Sequence, residues 1–254
     1  MTLAAVAQLC SGGIIAENLA VSKSLIQKAA GLGAKVIFFP EATDFIAPSS
    51  QVSALTRSKE NANFVQELCA AARTFKTFVS VGVHEPPAQS QDADRCYNTQ
   101  LLIDNNGNIL QKYRKVHLFD VDIKGGLSIL ESNTTIPGTN MEEPVPSPVG
   151  NLGVAFTVRT GAAHWEPLIR ARAIETQSWV VAAAQVGAHK GTSRISWGHA
   201  MVIDPWGSII ASCSDLQPYE PSICLADIDL SRLDSLRAEM PLWEQRRTDL
   251  YPEI

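Results

Sequence analysis

Residues 34–42 have the sequence AKVIFFPEA, in which an almost continuous apolar run ends at Pro40-Glu41-Ala42. Such a run is typical of a strand that is buried on both faces of a sheet. The proline ends the strand, so Glu41 lies at its carboxyl end. Because open α/β sheets bind their ligands at that edge, Glu41 is a candidate site residue by position alone.

The segments on either side repeat a strand–helix pattern. Residues 6–9 form a short apolar run, and residues 18–31 then place apolar side chains at helical spacing. Downstream, residues 60–75 predict a second helix, and residues 78–83 predict another buried strand. The resulting order β-α-β-α-β predicts an α/β fold.

Two hairpins are predicted further along the chain. Residues 101–110 place Asn106-Gly107 between two apolar runs, which is a strong short-range hairpin signal, and residues 201–210 repeat the arrangement. The remaining predicted elements are a helix over 164–173, strands over 179–185 and 223–229, and a final helix over 230–237. We therefore expect one α/β domain over residues 1–254, in which sheets pack between helical layers.

Composition excludes several classes of partner. The 254 residues are 45% hydrophobic and 19% charged, as expected of a compact globular protein, and the net charge of −5 provides no basic field for nucleic acid or an anionic membrane. No apolar run approaches the ~20 residues of a membrane span. The five cysteines include no CxxC pair, which favours a reducing compartment and hence an intracellular protein.

Neither a metal nor a nucleotide cofactor is predicted. The five histidines never pair at i, i+2 or i, i+4, and the only His-Glu pair is followed by prolines rather than completing HExxH. The glycines do not form a phosphate loop, because none precedes Lys-Ser/Thr or opens a helix in a GxGxxG pattern.

Three residues carry chemistry-bearing side chains in suggestive positions. Glu41 follows an apolar strand, Lys115 lies in the mixed segment YRKVHLF, and Glu131 follows a glycine-containing loop. Glu41 is either a loop cap or a general base. Lys115 is either a solvated edge residue or an oxyanion-stabilising ammonium, and Glu131 is either an exposed loop residue or part of a site. The residues alone leave these alternatives open.

Three stretches together resemble the nitrilase-type carbon-nitrogen hydrolases: residues 38–42 (FFPEA), 113–120 (YRKVHLFD) and 196–207 (SWGHAMVIDPWG). Within that family, residues 81–85, 155–166 and 240–247 are similar to the deaminated glutathione amidase branch. The resemblance runs nearly end to end. The motifs indicate this family in combination, whereas none of them does so alone.

The resemblance implies an αββα sandwich, a homodimer, no cofactor and a Glu-Lys-Cys mechanism on a small-molecule amide. Glu41 matches the general base, Lys115 the group that stabilises the tetrahedral intermediate, and Glu131 the glutamate that positions the lysine and substrate. The implied reaction converts deaminated glutathione to 2-oxoglutarate and cysteinylglycine. The implied location is cytoplasmic, with mitochondria as a second site.

The sequence departs from the family pattern between Ala155 and Phe156. After the strand over 151–155 the family has a cysteine elbow, a helix and a further strand, about 30 residues by the size of a βαβ unit. Here none of the five cysteines lies in that context, so we expect the 254-residue chain to be inactive. A shortened isoform, a gene sequence assembled without one coding segment, and residues omitted from the written sequence all account for the gap.

Arg159 and Thr160 lie just beyond this junction. A guanidinium suits a substrate carboxylate, which makes the two residues substrate-binding candidates, although an ordinary loop arginine is an equal alternative. Two other functions also stay open. One is an ω-amidase that acts on α-keto acid amides, and the other is a noncatalytic binding or regulatory homologue.

Overall fold

The computed structural model describes residues 1–88, 92, 94–122, 124, 128–152, 161–247 and 249–250. The α-helices are α1 (Ile15–Gly31), α2 (Ser49–Thr56), α3 (Lys59–Phe75), α4 (Gly161–Thr176) and α5 (Leu230–Glu239). The first strands are β1 (Thr2–Leu9), β2 (Val36–Phe38), β3 (Phe78–Glu85), β4 (Tyr97–Ile103), β5 (Ile109–Arg114), β6 (Asp120–Asp122) and β7 (Ser128–Leu130). The later strands are β8 (Val145–Ser147), β9 (Gly150–Leu152), β10 (Val180–Ala182), β11 (Ala184–Ala188), β12 (Ile195–Trp197), β13 (Met201–Ile203), β14 (Ile209–Ser212) and β15 (Ser222–Ile228).

The main sheet is mixed and has the order β12-β11-β1-β2-β3-β4-β5, with β15 also paired to β1. Strands β1, β2 and β3 run parallel, as their α-helical crossovers require, and β4 and β5 follow as antiparallel hairpin strands. Strand β1 lies at the centre. One of its edges pairs with β2, and the other pairs with β15 and then, at Gln8 and Leu9, with β11.

The second layer of strands is made of smaller sheets. Strands β10, β13 and β14 form a three-stranded sheet, and β8 and β9 form a separate antiparallel pair. Among the described residues, β9 pairs only with β8, and β10 pairs only with β13. Each of these two strands therefore has an edge without a strand beside it in the part of the chain described.

Alternation along the buried strands creates two cores on either side of the main sheet. In β1, Ala5 and Ala7 face the core shared with α1 and α3, whereas Ala4 and Val6 face the core shared with the second layer of strands. On the outside of the second layer, Ile169 of α4 packs with residues of β13. Helices, main sheet, second strand layer and α4 thus form the expected αββα sandwich.

The sequence predicts most elements correctly, including both hairpins, whose Gly107 and Gly207 have φ of +81° and +89°. The single strand predicted over 179–185 is wrong. Its apolar run is divided at Ala183 into β10 and β11, which belong to different sheets. Helix α2 was not predicted. No helix in the described ranges is long and apolar enough to cross a membrane.

Candidate functional site

Glu41 lies in a tight turn immediately after β2, and the backbone around it is fixed by hydrogen bonds. The Gln185 side-chain amide donates to the carbonyls of Glu41 (3.1 Å) and Ala42 (3.2 Å), and the Thr43 hydroxyl donates to the Pro40 carbonyl (2.6 Å). Gly82 of β3 packs directly beneath, since a Cβ there would lie 2.5 Å from the Glu41 Cα. The position of Glu41 is therefore set by three strands rather than by its own loop.

Lys115 and Glu131 reach the same point from different elements. Lys115 directly follows β5 and is held by its backbone N–H, which donates to the Asn98 carbonyl (2.8 Å). Glu131 starts a short 3₁₀ turn (Glu131–Asn133) after β7. Its carboxylate accepts from the Lys115 ammonium (2.7 Å) and from the Phe119 N–H (2.7 Å). The lysine is thus tied to the turn that follows β7.

The structure brings the three predicted residues together. The Lys115 Nζ lies 2.7 Å from Glu131 Oε2 and 3.5 Å from Glu41 Oε1, and the three side chains are only 6%, 16% and 20% exposed. With all three groups ionised, two carboxylates surround one ammonium, which leaves one net negative charge in a shielded place. Such an arrangement holds an ammonium rigidly while keeping a carboxylate beside it to take up a proton. Their catalytic roles stay predictions.

Asn98 of β4 is a member of this cluster that the sequence did not single out. Its side-chain amide donates to Glu41 Oε1 and to Glu131 Oε1, the second contact being 3.2 Å. Asn98 and Lys115 both donate to the same carboxylate oxygen of Glu41, Oε1. Asn98 therefore bridges the two carboxylates.

The cluster lines a cavity of about 1370 Å³ that is bounded by the main sheet, by strands of the second layer and by α4. This volume is large enough for a peptide-sized ligand. Besides the cluster, its lining includes the following side chains from the second layer, α4 and the β11–β12 loop: Leu152, Trp165, Ile169, Arg172, Trp179, Val180, Val181, Arg194, Ser196 and Trp197.

His84, at the end of β3, also lines the cavity. Its Nδ1 pairs with the fully buried Asp44 carboxylate at 2.9 Å, and its ring stacks on Phe45. Burial lowers the pKa of His84, but the charge and hydrogen bond of Asp44 outweigh that effect, so the pKa is raised overall. The same aspartate accepts from the His84 backbone N–H, which fixes the end of β3.

None of the five cysteines lines this cavity, and all five are free thiols. Burial raises the pKa of Cys10 and Cys69, and it raises that of Cys96 to about 11. The Cys213 and Cys224 thiols donate to the carbonyls of Val6 (3.9 Å) and Ala200 (3.8 Å), and the influence of the two thiols on each other lowers the pKa of Cys213 to about 7 and raises that of Cys224. Cys213, however, packs in the core between the two strand layers, away from Glu41 and Lys115. No cysteine of this chain is placed to attack a substrate beside them.

The remaining predicted site residues, Arg159 and Thr160, lie outside the described residues, as does the junction between Ala155 and Phe156. In the part of the chain that is described, no three His, Cys, Asp or Glu side chains form a group that would hold a metal ion.

Comparison with known proteins gives consistent matches. The Carbon-nitrogen hydrolase family model matches residues 3–157 and 154–238, two segments that meet at 154–157. "Probable hydrolase nit2" from Schizosaccharomyces pombe is 42% identical over 283 residues, which cover 100% of both chains. Because this chain has 254 residues, about 29 of those 283 aligned positions have no counterpart in it.

"Deaminated glutathione amidase" from Bos taurus is 39% identical over 282 residues, covering 100% of this chain and 84% of that protein. The crystal structure of the Caenorhabditis elegans NitFhit protein superimposes with a TM-score of 0.89 at 36% identity, covering 98% of this chain and 66% of that one. With matches of this extent in both sequence and structure, the chain belongs to the carbon-nitrogen hydrolase family, and it is related there to amidases that act on C–N bonds.

Proposed function

We propose that the substrate is deaminated glutathione and that Glu41, Lys115 and Glu131 supply the acid–base and electrostatic part of its hydrolysis. The observation that carries this proposal is the Lys115 ammonium held between the two carboxylates at the wall of the cavity. The amidase named for this substrate in Bos taurus aligns over the whole chain, which supports the choice of substrate.

In a family-length form, the reaction begins when Glu41 takes the proton of a cysteine thiol. The thiolate attacks the amide carbon, and Lys115 together with a backbone N–H stabilises the negative oxygen of the tetrahedral intermediate. Glu41 then gives its proton to the departing amine, and cysteinylglycine leaves. Water hydrolyses the remaining thioester to release 2-oxoglutarate and the free thiol.

We infer that the 254-residue chain lacks the segment that carries this cysteine. The two-part family match that meets at 154–157 supports an internal deletion near Ala155 and Phe156, and the roughly 29 unmatched positions of the S. pombe alignment support its size. The five cysteines that are present all lie away from the cavity lining. The reaction described above therefore stops before its first covalent step in this chain.

The unpaired strand edges support the same inference. Strand β9 ends at Leu152, shortly before the junction between Ala155 and Phe156. After the junction, the next described elements are α4 and then β10. Both Leu152 of β9 and Val181 of β10 line the cavity, and each strand has a partner on one edge only among the described residues. A segment that contains one strand would fit between them and complete the second sheet, because sheets leave few interior edges unpaired.

The test compares two chains in one assay. The first is the 254-residue chain, and the second carries the segment of the S. pombe relative inserted between Ala155 and Phe156. We expect no release of 2-oxoglutarate from deaminated glutathione by the first chain and measurable release by the second. The control is the second chain with the inserted cysteine changed to alanine, which should match the first.

The same assay separates the alternative functions. A higher turnover of 2-oxoglutaramate than of deaminated glutathione by the inserted chain would favour an ω-amidase. Isolation of only the short form from cells, as a stable protein by intact mass, would favour a noncatalytic binding role. Sequencing of the transcript across codons 155–156 identifies which of the explanations for the gap applies.

A second copy of this chain is the partner we propose. Large apolar side chains on α4 and the adjoining β13–β14 hairpin are exposed, among them Leu168, Ile174 and Trp206. Gly207 of that hairpin abuts Ile174, so these residues form one continuous surface. We expect a dimer in sedimentation velocity that Ile174→Asp converts to monomer; a monomeric wild type would contradict it.

The free thiols of all five cysteines fit a cytoplasmic location, which stays a prediction.

A further inference from the structure

In the part of the chain that the structure describes, one cationic side chain of the cavity has no carboxylate partner. The permanently cationic side chains that line the cavity there are Lys115, Arg172 and Arg194. Lys115 pairs with Glu131 and Glu41, and Arg172 pairs with Glu175 at 2.7 Å. Among the described residues, no carboxylate lies within ion-pair distance of the Arg194 guanidinium. A partly buried guanidinium in this state is a ready binding group for an anion.

The loop that carries Arg194 is held in place by buried hydrogen bonds. The His189 N–H donates to the Arg194 carbonyl (3.0 Å), and the Arg194 N–H donates to the Thr192 hydroxyl (3.1 Å). His189 is itself buried. Its Nδ1 donates to the Ser11 carbonyl (2.8 Å), which leaves Nε2 to accept from the Ser196 hydroxyl (2.7 Å). The guanidinium is therefore presented from a fixed turn, which lowers the entropic cost of binding.

The loop that carries Arg194 is joined to the turn that carries Glu41 through Ser11. The Ser11 carbonyl accepts from His189 Nδ1 (2.8 Å), and the Ser11 hydroxyl donates to the Thr43 carbonyl (3.2 Å). The side chains of Glu41 and Arg194 line the same cavity. A substrate with its amide beside Glu41 can thus direct an anionic group toward Arg194.

We propose that Arg194 binds a carboxylate at the far end of the substrate's acyl chain, so that the cavity selects amides of dicarboxylic acids over amides of uncharged acyl chains. This assignment rests on the proposed amidase site and specifies its substrate class. Arg194 is a specificity-determining residue in this account, and it takes no part in proton transfer.

The test measures binding by isothermal titration calorimetry, so that turnover is not required of the 254-residue chain. The probes are 2-oxoglutarate and 4-oxopentanoate, which differ only in the carboxylate next to the keto group. We expect the wild-type chain to bind 2-oxoglutarate about 10- to 100-fold more tightly, the range of a charge-assisted pair. Arg194→Gln should abolish this preference without changing the affinity for 4-oxopentanoate, and Arg194→Lys should retain part of it.

The matched control is Arg172→Gln, which removes a cavity arginine that already has a carboxylate partner and should leave the preference intact. An unchanged preference in Arg194→Gln overturns the proposal, and so does a wild-type chain that is folded by circular dichroism but binds neither probe. An Arg194-dependent preference combined with no hydrolysis by the inserted chain would overturn the proposed reaction and leave this binding assignment standing.

Discussion

The two strand layers of this molecule differ in completeness. In the main sheet, β1 and β2 each pair on both edges, and the strands from β2 to β5 deliver Glu41, Asn98 and Lys115 to one point. In the second layer, the described strands form separate sheets in which β9 and β10 each have one unpaired edge. The residues that we propose for acid–base chemistry are therefore assembled on the main sheet, and the segment that we propose to carry the nucleophile would belong to the second layer, between β9 and α4 along the chain.

The difference shows that Glu41, Lys115 and Glu131 keep a defined geometry on the main sheet, while the segment that we infer to be missing would belong to the second layer. The side chains of Glu41, Lys115 and Glu131 contact one another, Asn98 and the Phe119 N–H, and the Gln185 side-chain amide donates to the Glu41 carbonyl. Loss of the nucleophile segment and preservation of the cluster are thus compatible.

The largest expected effect concerns Glu41 in the chain that carries the inserted segment. Glu41→Gln removes the base while keeping the acceptor for Asn98, and we expect kcat to fall about 10²- to 10⁴-fold. The matched control is Glu85→Gln, a carboxylate of β3 that pairs with Arg114 outside the cavity. Equal loss of activity in both variants would break the assignment of the acid–base function to the complete sheet.

Hydrogen exchange sharpens the comparison of the two layers directly. We expect the backbone amides of β1 and β2, which pair on both edges, to open only with the whole fold, and those of β9 and β10, which pair on one edge among the described residues, to open locally. We expect peptides that cover 2–9 and 36–38 to exchange about 10²-fold or more slowly than peptides that cover 150–152 and 180–182. The insertion should slow exchange in the second pair only. Uniform protection across both layers would contradict the picture of an interrupted sheet.

Gly82 tests how tightly the complete sheet holds the site. A Cβ at Gly82 would lie 2.5 Å from the Glu41 Cα and 2.9 Å from the Pro40 carbonyl, and neither backbone atom can move freely. Gly82→Ala should lower the free energy of unfolding by about 1–3 kcal/mol, the usual cost of overpacking, in urea denaturation. Gly31→Ala, where the new Cβ meets nothing within 4 Å, is the control and should be close to neutral.

The smallest expected effect is a pH dependence of stability from His84 and Asp44. Because the pKa of His84 is raised in the folded state, the pair stabilises the fold fully below the unfolded-state pKa of about 6.5, and this contribution is lost as the pH rises through the folded pKa. In Asp44→Asn, the main remaining influence on the pKa of His84 is burial, which lowers it.

In Asp44→Asn, the contribution of His84 to the free energy of unfolding should therefore increase with pH instead of decreasing. We expect an increase of about 1 kcal/mol between pH 5.5 and 8.5, measured by urea denaturation. The control is Asp215→Asn, which removes the carboxylate of an exposed pair with His199 and should change the profile little. An unaltered pH profile in Asp44→Asn would contradict a role for this pair.

The sequence pattern predicts an α/β domain with sheets between helical layers, because its strands are buried and its first long helices place apolar residues on one face; the αββα sandwich is what the family resemblance implied. It fails at Ala183, because a continuous apolar run cannot show that β10 and β11 belong to different sheets. Glu41, Lys115 and Glu131 were found through combined motifs and not through spacing. Asn98 was missed because its role depends on the cross-strand register that sets it opposite His84.

The most direct test assays the release of 2-oxoglutarate from deaminated glutathione by the 254-residue chain and the inserted chain under identical conditions. We predict no release above background by the first and measurable, cysteine-dependent release by the second. Release by the purified 254-residue chain would contradict it, because an amide would then be hydrolysed without the nucleophile that the interrupted sheet is inferred to lack.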